Sequence, residues 1–403
     1  MAANLSILAR RAGALGGSGV VYHTYCILVC PFTRRSMTIV LYDTEHFETL
    51  ETQVRLLNTG AHRLVLLAPE AMQVQLVAAG VIPGPFVQFR TLPSRSWEHP
   101  GAVYRSCRAE GADLLILSTV SFQHLLFARA CRRLRPLKLL LGVHDVHDLF
   151  APARKFSLRG LIQHVGRQQL AAAVSGYIVL LDEMKELLRK KYSVRKPVHV
   201  VPGSLYRPAP AGDPGAPLRI VVPGSIDPGR RSYEHVRHLA RALYPDAPVQ
   251  ITIAGSNRPG WRPTWLDEYP GTLQVISGDF VDVDTFETAI AGADLVWAPL
   301  PEVFRRSGHP GERYGESKSS GSFFDALRHG KPLLLPGGVP VPGVLAAVTI
   351  SYFDNEHLHY LVLALAQNRA ARERLRLMAE ANAAALSLEA VRARLLPALT
   401  GGT

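Results

Sequence analysis

The 403-residue sequence has only four cysteines, Cys26, Cys30, Cys107 and Cys131, and no CxxC pair among them. No histidine cluster joins them at zinc-ligand spacing, so neither a disulfide framework nor a structural zinc site is supported. Thiols used this sparingly fit a reduced, cytosolic compartment. The glycine-rich phosphate motifs are missing as well. A P-loop is excluded because GxxxxGK followed by Ser or Thr does not occur, and the absence of GxGxxG argues against a nicotinamide cofactor. No apolar run is long enough to span a bilayer as a helix. The best stretch, Gly19 to Phe32, is interrupted by Tyr22, His23 and Thr24, and it lacks the apolar core and small-residue cleavage site of a signal peptide. Zinc-finger spacing and aromatic RNA-binding motifs are absent, which argues against nucleic acid as a partner. Acidic residues are also in short supply, 33 against 45 Lys plus Arg, for a net charge of +12. That surplus favours an anionic partner, either a phosphorylated ligand or an anionic membrane surface.

What the chain does contain is a repeated alternation of strand and helix. Residues 1–36 stand apart from it. The segment carries Arg10-Arg11 and Arg34-Arg35, and the first convincing strand begins only at Met37. We expect the segment to be a disordered extension or the result of a misassigned start, with a short membrane or partner anchor as the rival reading. From Met37 strands are expected at 38–42, 63–68, 86–90, 113–119, 137–141, 176–181 and 198–201, with helices between them, one carrying the stripe Phe47, Leu50, Val54, Leu57. The Pro/Gly-rich run Arg207 to Gly215 reads as a linker and places a domain boundary there, dividing 37–208 from 217–380. A second series follows, with strands at 218–222, 249–253, 273–276, 294–298 and 332–335 and a weaker one at 347–351. Asp284 and Glu287 form a capping-box pattern for a helix over 285–291. The tail, 355–399, is helical, and we expect it to pack back across both domains, the last part being 381–403. Apolar strands alternating with amphipathic helices predict an α/β protein of two doubly wound, Rossmann-like domains with parallel sheets.

Ligands of such folds bind outside the carboxyl ends of the strands. The loop after 218–222 holds Gly224, Ser225 and the pair Arg230-Arg231, where glycine permits close backbone approach and two fixed charges suit a diphosphate. Residues 312–336 read as loop, helix, turn and strand. Ser319 and Ser320 precede a helix whose open N–H groups suit a phosphate, and Lys318 adds a positive charge beside it. Asp325 lies about one turn into that helix, in reach of a sugar hydroxyl. In the first half, strand 137–141 runs into His144-Asp145 and His147-Asp148. The spacing suggests a metal, but a strand end need not turn both histidines to one side and no third ligand is evident. We expect no metal, and His144 as a ligand contact. Thr44-Glu45-His46, after the first strand, should open on the same cleft.

With these residues in view, the sequence resembles the GT-B glycosyltransferases, specifically glycosyltransferase family 4. Pro223 to Arg231 is similar to the family's phosphate loop, which implies a diphosphate role for Arg230 and Arg231. The segment Gly278 to Pro299 resembles the part that holds the nucleotide base, which brings in Phe280 and Val281. Asp325-Ala-Leu-Arg-His-Gly-Lys-Pro resembles the family's Glu-Ala-Met motif and implies ribose binding by Asp325. His144-Asp145 resembles the family's strand-end pair near the donor sugar. There are departures. The family's paired acids are eight residues apart, and eight before Asp325 is Ser317, so Glu316 has to take the donor-sugar role if it is kept. Ser225 stands where many members carry an arginine, and Tyr42-Asp43-Thr44 replaces the usual Gly-Gly loop.

The resemblance implies two Rossmann-like domains facing a cleft, with C-terminal helices crossing back. It also implies a retaining glycosyltransferase that moves a sugar from a nucleotide-diphosphate sugar to a glycan, lipid-linked or small-molecule acceptor, with no metal or other cofactor. Two alternatives stay open, a nucleotide-sugar epimerase on the same fold and a non-catalytic nucleotide-sugar-binding or scaffold protein in glycan assembly. A cytoplasmic location is expected, with peripheral contact at the inner face of the membrane.

Overall fold

The computed structural model describes residues 36–151, 158–208, 217–257, 260–279, 281–305 and 311–401. The N-terminal extension up to Arg35, most of the expected linker and Phe280 lie outside them. The first half builds a seven-stranded sheet from β1 (Thr38–Tyr42), β2 (Arg63–Ala68), β3 (Val87–Thr91), β4 (Leu114–Leu117), β5 (Lys138–Val143), β6 (Gly176–Val179) and β7 (Val198–Val200). The second half builds a six-stranded sheet from β8 (Leu218–Pro223), β9 (Val249–Ser256), β10 (Leu273–Gly278), β11 (Leu295–Trp297), β12 (Leu333–Pro336) and β13 (Thr349–Tyr352). The strand orders are β3-β2-β1-β4-β5-β6-β7 and β10-β9-β8-β11-β12-β13. Every pairing is parallel. This is the GT-B architecture.

The parallel arrangement follows from the strands themselves. β4 (Leu-Leu-Ile-Leu) is buried at every position, as is required when helices cover both faces. The helices supply matching stripes. Tyr233–Leu243 buries Tyr233, Val236, Leu239, Ala240 and Leu243, three or four residues apart. The helix at Val283–Ala291 begins earlier than its capping pattern suggests. Asp282, in extended conformation, caps it by accepting from the Thr285 N–H at 2.9 Å, and Asp284 lies inside its first turn.

Both sheets reverse their strand order in the middle, at β1/β4 and at β8/β11, and crevices form at such reversals. Close packing at the first reversal depends on Gly142. A Cβ there would lie 2.0 Å from the Ser118 carbonyl oxygen, so the end of β5 meets the end of β4 only without a side chain. The two halves are also tied through charge. Glu51, almost fully buried on the helix Phe47–Leu57, pairs with Arg207 and lies 3.5 Å from Arg328 on the helix Gly321–Arg328.

The last helix, Leu388–Thr400, returns to the first sheet. Arg392 donates to the carbonyls of Arg55 and Asn58, both at 2.6 Å, and of Leu56 at 3.2 Å, satisfying the open C-terminal end of Phe47–Leu57. Lys138 of β5 donates in turn to the Leu399 carbonyl at 2.9 Å.

Candidate functional site

A cavity of about 270 Å³ opens at the carboxyl edges of both sheets. From the first half, His46 after β1, Glu48 and Thr49 at the start of the following helix, and His144 after β5 line it. From the second half come Gly224, Ser225, Arg230 and Arg231 after β8, Leu300 after β11, and Lys318 to Gly321 with Asp325 around the helix before β12. The sequence reading is thus brought together at His144, Gly224, Ser225, Arg230, Arg231, Lys318, Ser319, Ser320 and Asp325.

The two arginines are not equivalent. Arg231 is buried and folds back onto its own loop. It donates from Nη1 to the Ser225 carbonyl at 2.7 Å and from Nη2 to the Pro223 carbonyl, while its Nε is buried without a partner among the described residues. Gly224 makes room for this at φ +91°, where a Cβ would sit 2.5 Å from Arg231 Nη2. Arg230 is the freer arm. Its side chain is more than half exposed and its nearest carboxylate, Asp227, stands 3.8 Å away. Across from them the helix Gly321–Arg328 begins at Ser320 with no side chain capping its first turn. Its N–H groups and positive pole therefore face the same cavity.

Lys318 is held in place. Its Nζ pairs with Asp145 across the cleft and lies 5.2 Å from the centre of the Phe304 ring. The same crossing is fixed by the Val146 N–H on the Ser317 carbonyl at 2.9 Å and by the Asp148 N–H on Glu312 Oε1 at 2.8 Å. Burial pushes the Glu312 carboxyl up to about 8.

Two expected residues do not reach the cavity. Ser317 and Lys318 donate back to the Arg313 carbonyl, and the tight turn so formed leaves Glu316 to pair with Arg313 at 3.0 Å outside the lining. Val281 also lies outside the lining, whose apolar residues include Phe286 and Leu300 with Leu180 and Phe324. A second acid comes instead from the first half. Glu48 lines the cleft with its side chain exposed to it, and the protein packed around the cleft raises its pKa by desolvation. Asp325 is pushed up to about 8, first by burial and then by the charge of Glu48. Among the described residues no group of three or more His, Cys, Asp or Glu side chains is placed to hold a metal ion.

On the first-half wall the rings of His46 and His144 stack, with centres 4.0 Å apart and planes 9° from parallel. His46 Nδ1 is 2.8 Å from Thr119 Oγ1, and His144 Nε2 is 3.1 Å from it and 3.0 Å from the Ser118 carbonyl. Thr119 also donates to Asp43 at 3.1 Å. Burial, His144, Lys318 and Arg230 together hold His46 well below the usual histidine range, and His144 is lowered chiefly by burial.

Cations, an open helix end and carboxyl groups lining one cavity suit a ligand that joins phosphates to hydroxyls. Residues 49–204 match the model of Glycosyltransferase Family 4. The chain resembles the GT-B glycosyltransferases. Among solved structures it is similar to HepE of Anabaena in complex with UDP-glucose. There the identity is 14%, the match covers 91% of this chain and 100% of that one, and the TM-score is 0.60. It is also similar to a UDP-GlcNAc 2-epimerase from Neisseria meningitidis bound to UDP-GlcNAc, at 10% identity, covering 91% and 100% of the two chains with a TM-score of 0.57. At these identities the likeness is one of fold. No curated protein matches the sequence.

Proposed function

We propose that the protein is a retaining glycosyltransferase that transfers a sugar from a nucleotide-diphosphate sugar to a glycan, lipid-linked or small-molecule acceptor. The observation that carries this reading is the meeting of Arg230, Arg231, Lys318 and the uncapped helix end at Ser320–Gly321 on one cavity. These groups suit the two negative charges that develop as a diphosphate leaves, and they do so in place of a metal ion. The buried, unpartnered Nε–H of Arg231 has the chemistry to donate to an anion. Asp325, with Glu48 opposite, suits the paired hydroxyls of a ribose, and Phe286 and Leu300 suit the flat face of a base. His144 stands where it meets the donor sugar. Glu316, paired with Arg313, gives up the sugar contact expected of it.

The epimerase reading draws support from the second fold neighbour, and the two readings differ in what they release. UDP-glucose, UDP-GlcNAc and a GDP-sugar are incubated with and without a panel of sugar acceptors. The transferase reading expects nucleoside diphosphate only when an acceptor is present. A sugar changed at one carbon without release supports epimerisation, and binding with no turnover supports a carrier or scaffold.

We further propose peripheral contact with an anionic membrane at the cytoplasmic face. Among the described residues no helix is long and apolar enough to cross a membrane. Leu125 and Leu126 on the helix His124–Arg133, and Leu161, Ile162 and Val165 on the adjoining helix Leu158–Ala173, are exposed. The two helices carry five arginines and no acidic residue. Because helices run antiparallel to the strands, these leucines, isoleucine and valine lie towards the cleft edge, where a lipid-linked acceptor would enter. Vesicles with 30% anionic lipid should bind the protein at about 50 mM salt and release most of it at several-fold higher salt, with Leu125→Ser/Ile162→Ser weakening the binding. Failure to bind at low salt would count against membrane contact.

A further inference from the structure

The hydrogen bonds beneath His46 determine which of its nitrogens carries the proton. Asp43 is fully buried, accepts from the backbone N–H groups of Glu45 and His46 at 2.8 and 3.0 Å, and takes a third bond from Thr119. Burial pushes its pKa up to about 6, so at pH 7.5 it is an ionised, acceptor-only group. Thr119 has one hydroxyl proton. If that proton pointed at His46 or His144, a buried carboxylate oxygen would be left facing a lone pair. Directed at Asp43, it leaves Thr119 Oγ1 as an acceptor for both imidazoles, and every group is satisfied. His144 Nε2 must carry hydrogen in any case, because the Ser118 carbonyl only accepts. His46 is thereby assigned as the Nδ1–H tautomer, with its N–H on Thr119 and a bare lone pair on Nε2. Nε2 has no partner among the described residues, and His46 lines the cavity.

Such a nitrogen is suited to one task. It cannot bind a phosphate oxygen, which offers no proton, but it accepts from a hydroxyl. Resting on the transferase reading above, we infer that His46 is the proton acceptor for the attacking hydroxyl, and that Thr119 and Asp43 are positioning residues that hold its tautomer. In the transfer step the hydroxyl oxygen, approaching from the face on which the diphosphate leaves as retention requires, forms a bond to the anomeric carbon of the donor sugar while its O–H bond breaks and the proton passes to Nε2. The bond from that carbon to the diphosphate oxygen breaks, and its electron pair leaves with the diphosphate, facing Arg230, Arg231 and Lys318. The imidazolium formed keeps its Nδ1–H on Thr119, and the Asp43 charge lies one hydroxyl away. Burial first, then His144, Lys318 and Arg230, keep His46 unprotonated before the step, as a base requires.

The test has two arms. Long-range proton–nitrogen NMR on histidine-labelled protein at pH 7.5 reads the tautomer directly. The wild type and Thr119→Ser should show His46 protonated at Nδ1, and the near-isosteric Thr119→Val should show a mixture. In turnover with UDP-glucose and UDP-GlcNAc in the presence of the acceptor panel, His46→Gln should lose roughly a hundredfold or more in kcat with little change in donor KM. Thr119→Val should lose about tenfold, and Thr119→Ser should recover most of that loss. An Nε2-protonated His46 in the wild type overturns the inference whatever the turnover shows. So does an unchanged kcat in Thr119→Val or His46→Gln. A wild type that binds nucleoside diphosphate but turns over neither donor contradicts the transferase reading and removes the base assignment with it, while the NMR result still decides the relay.

Discussion

Arg231→Ala is expected to weaken nucleoside-diphosphate binding by roughly ten- to a hundredfold, since a charge-assisted contact at such a site is worth about 1.5–3 kcal/mol. The two arginines should separate by a second readout. Arg231 is also a strut, holding the carbonyls of Pro223 and Ser225 and reaching Ser322 Oγ at 3.4 Å, so its loss should lower the melting temperature as well. Arg230 leans into the cavity with only a distant partner, so Arg230→Ala should lose affinity at an unchanged melting temperature. Uridine, which has no phosphates, should bind both variants nearly as well as the wild type. Calorimetry with UDP and uridine on both variants is the check. An equal loss for both ligands in Arg230→Ala would place the phosphates elsewhere.

Asp325→Asn is expected to stabilise the ligand-free protein at alkaline pH and to weaken nucleoside binding. The carboxyl titrates near 3.8 when unfolded and at about 8 in the fold. A raised carboxyl contributes stability that is fully present below the unfolded value and lost as pH rises through the folded one. Above pH 8 the wild type carries an ionised carboxylate beside Glu48, whereas asparagine carries no charge at any pH. The melting-temperature gap in favour of the variant should therefore be small near pH 4, open between about pH 4 and 8, and reach roughly 2–4 °C at pH 8.5. At pH 8.5, where the wild-type group is ionised, uridine binding should fall by about tenfold, because the amide offers one acceptor oxygen where the carboxylate offers two. A variant less stable than the wild type at pH 8.5 would mean that Asp325 is ionised and paired, against the raised value.

How far the chain could be read in advance follows from the range of each interaction. The central strands were visible because a fully covered parallel strand must be apolar throughout, as Leu114–Leu117 is. Gly224 with its two arginines, and the Ser320–Gly321 helix start, were visible because each is a local pattern of a few residues after or before a strand. Glu48 was missed because on the helix Phe47–Leu57 it reads as part of the polar side. A usable signal existed, since the first turn of a helix that follows a strand lies at the cleft edge of the sheet. Glu316 was misplaced because its expected role, next to Ser317, needed the loop to turn it towards the cavity, and the turn closed onto Arg313 is not apparent from spacing. The grouping of Asp43, His46, Thr119 and His144 depends on β1, β4 and β5 being neighbours, and on Gly142 letting two strand ends touch. No window of sequence holds that information.

A crystal of the protein grown with UDP tests the central claim most directly. The account predicts the diphosphate between the Arg230–Arg231 loop and the N-terminus of the helix Gly321–Arg328, within hydrogen-bond reach of Arg231 Nε, with the ribose hydroxyls on Asp325. Nucleotide bound anywhere else, or a diphosphate turned away from both the loop and the helix end, would contradict it.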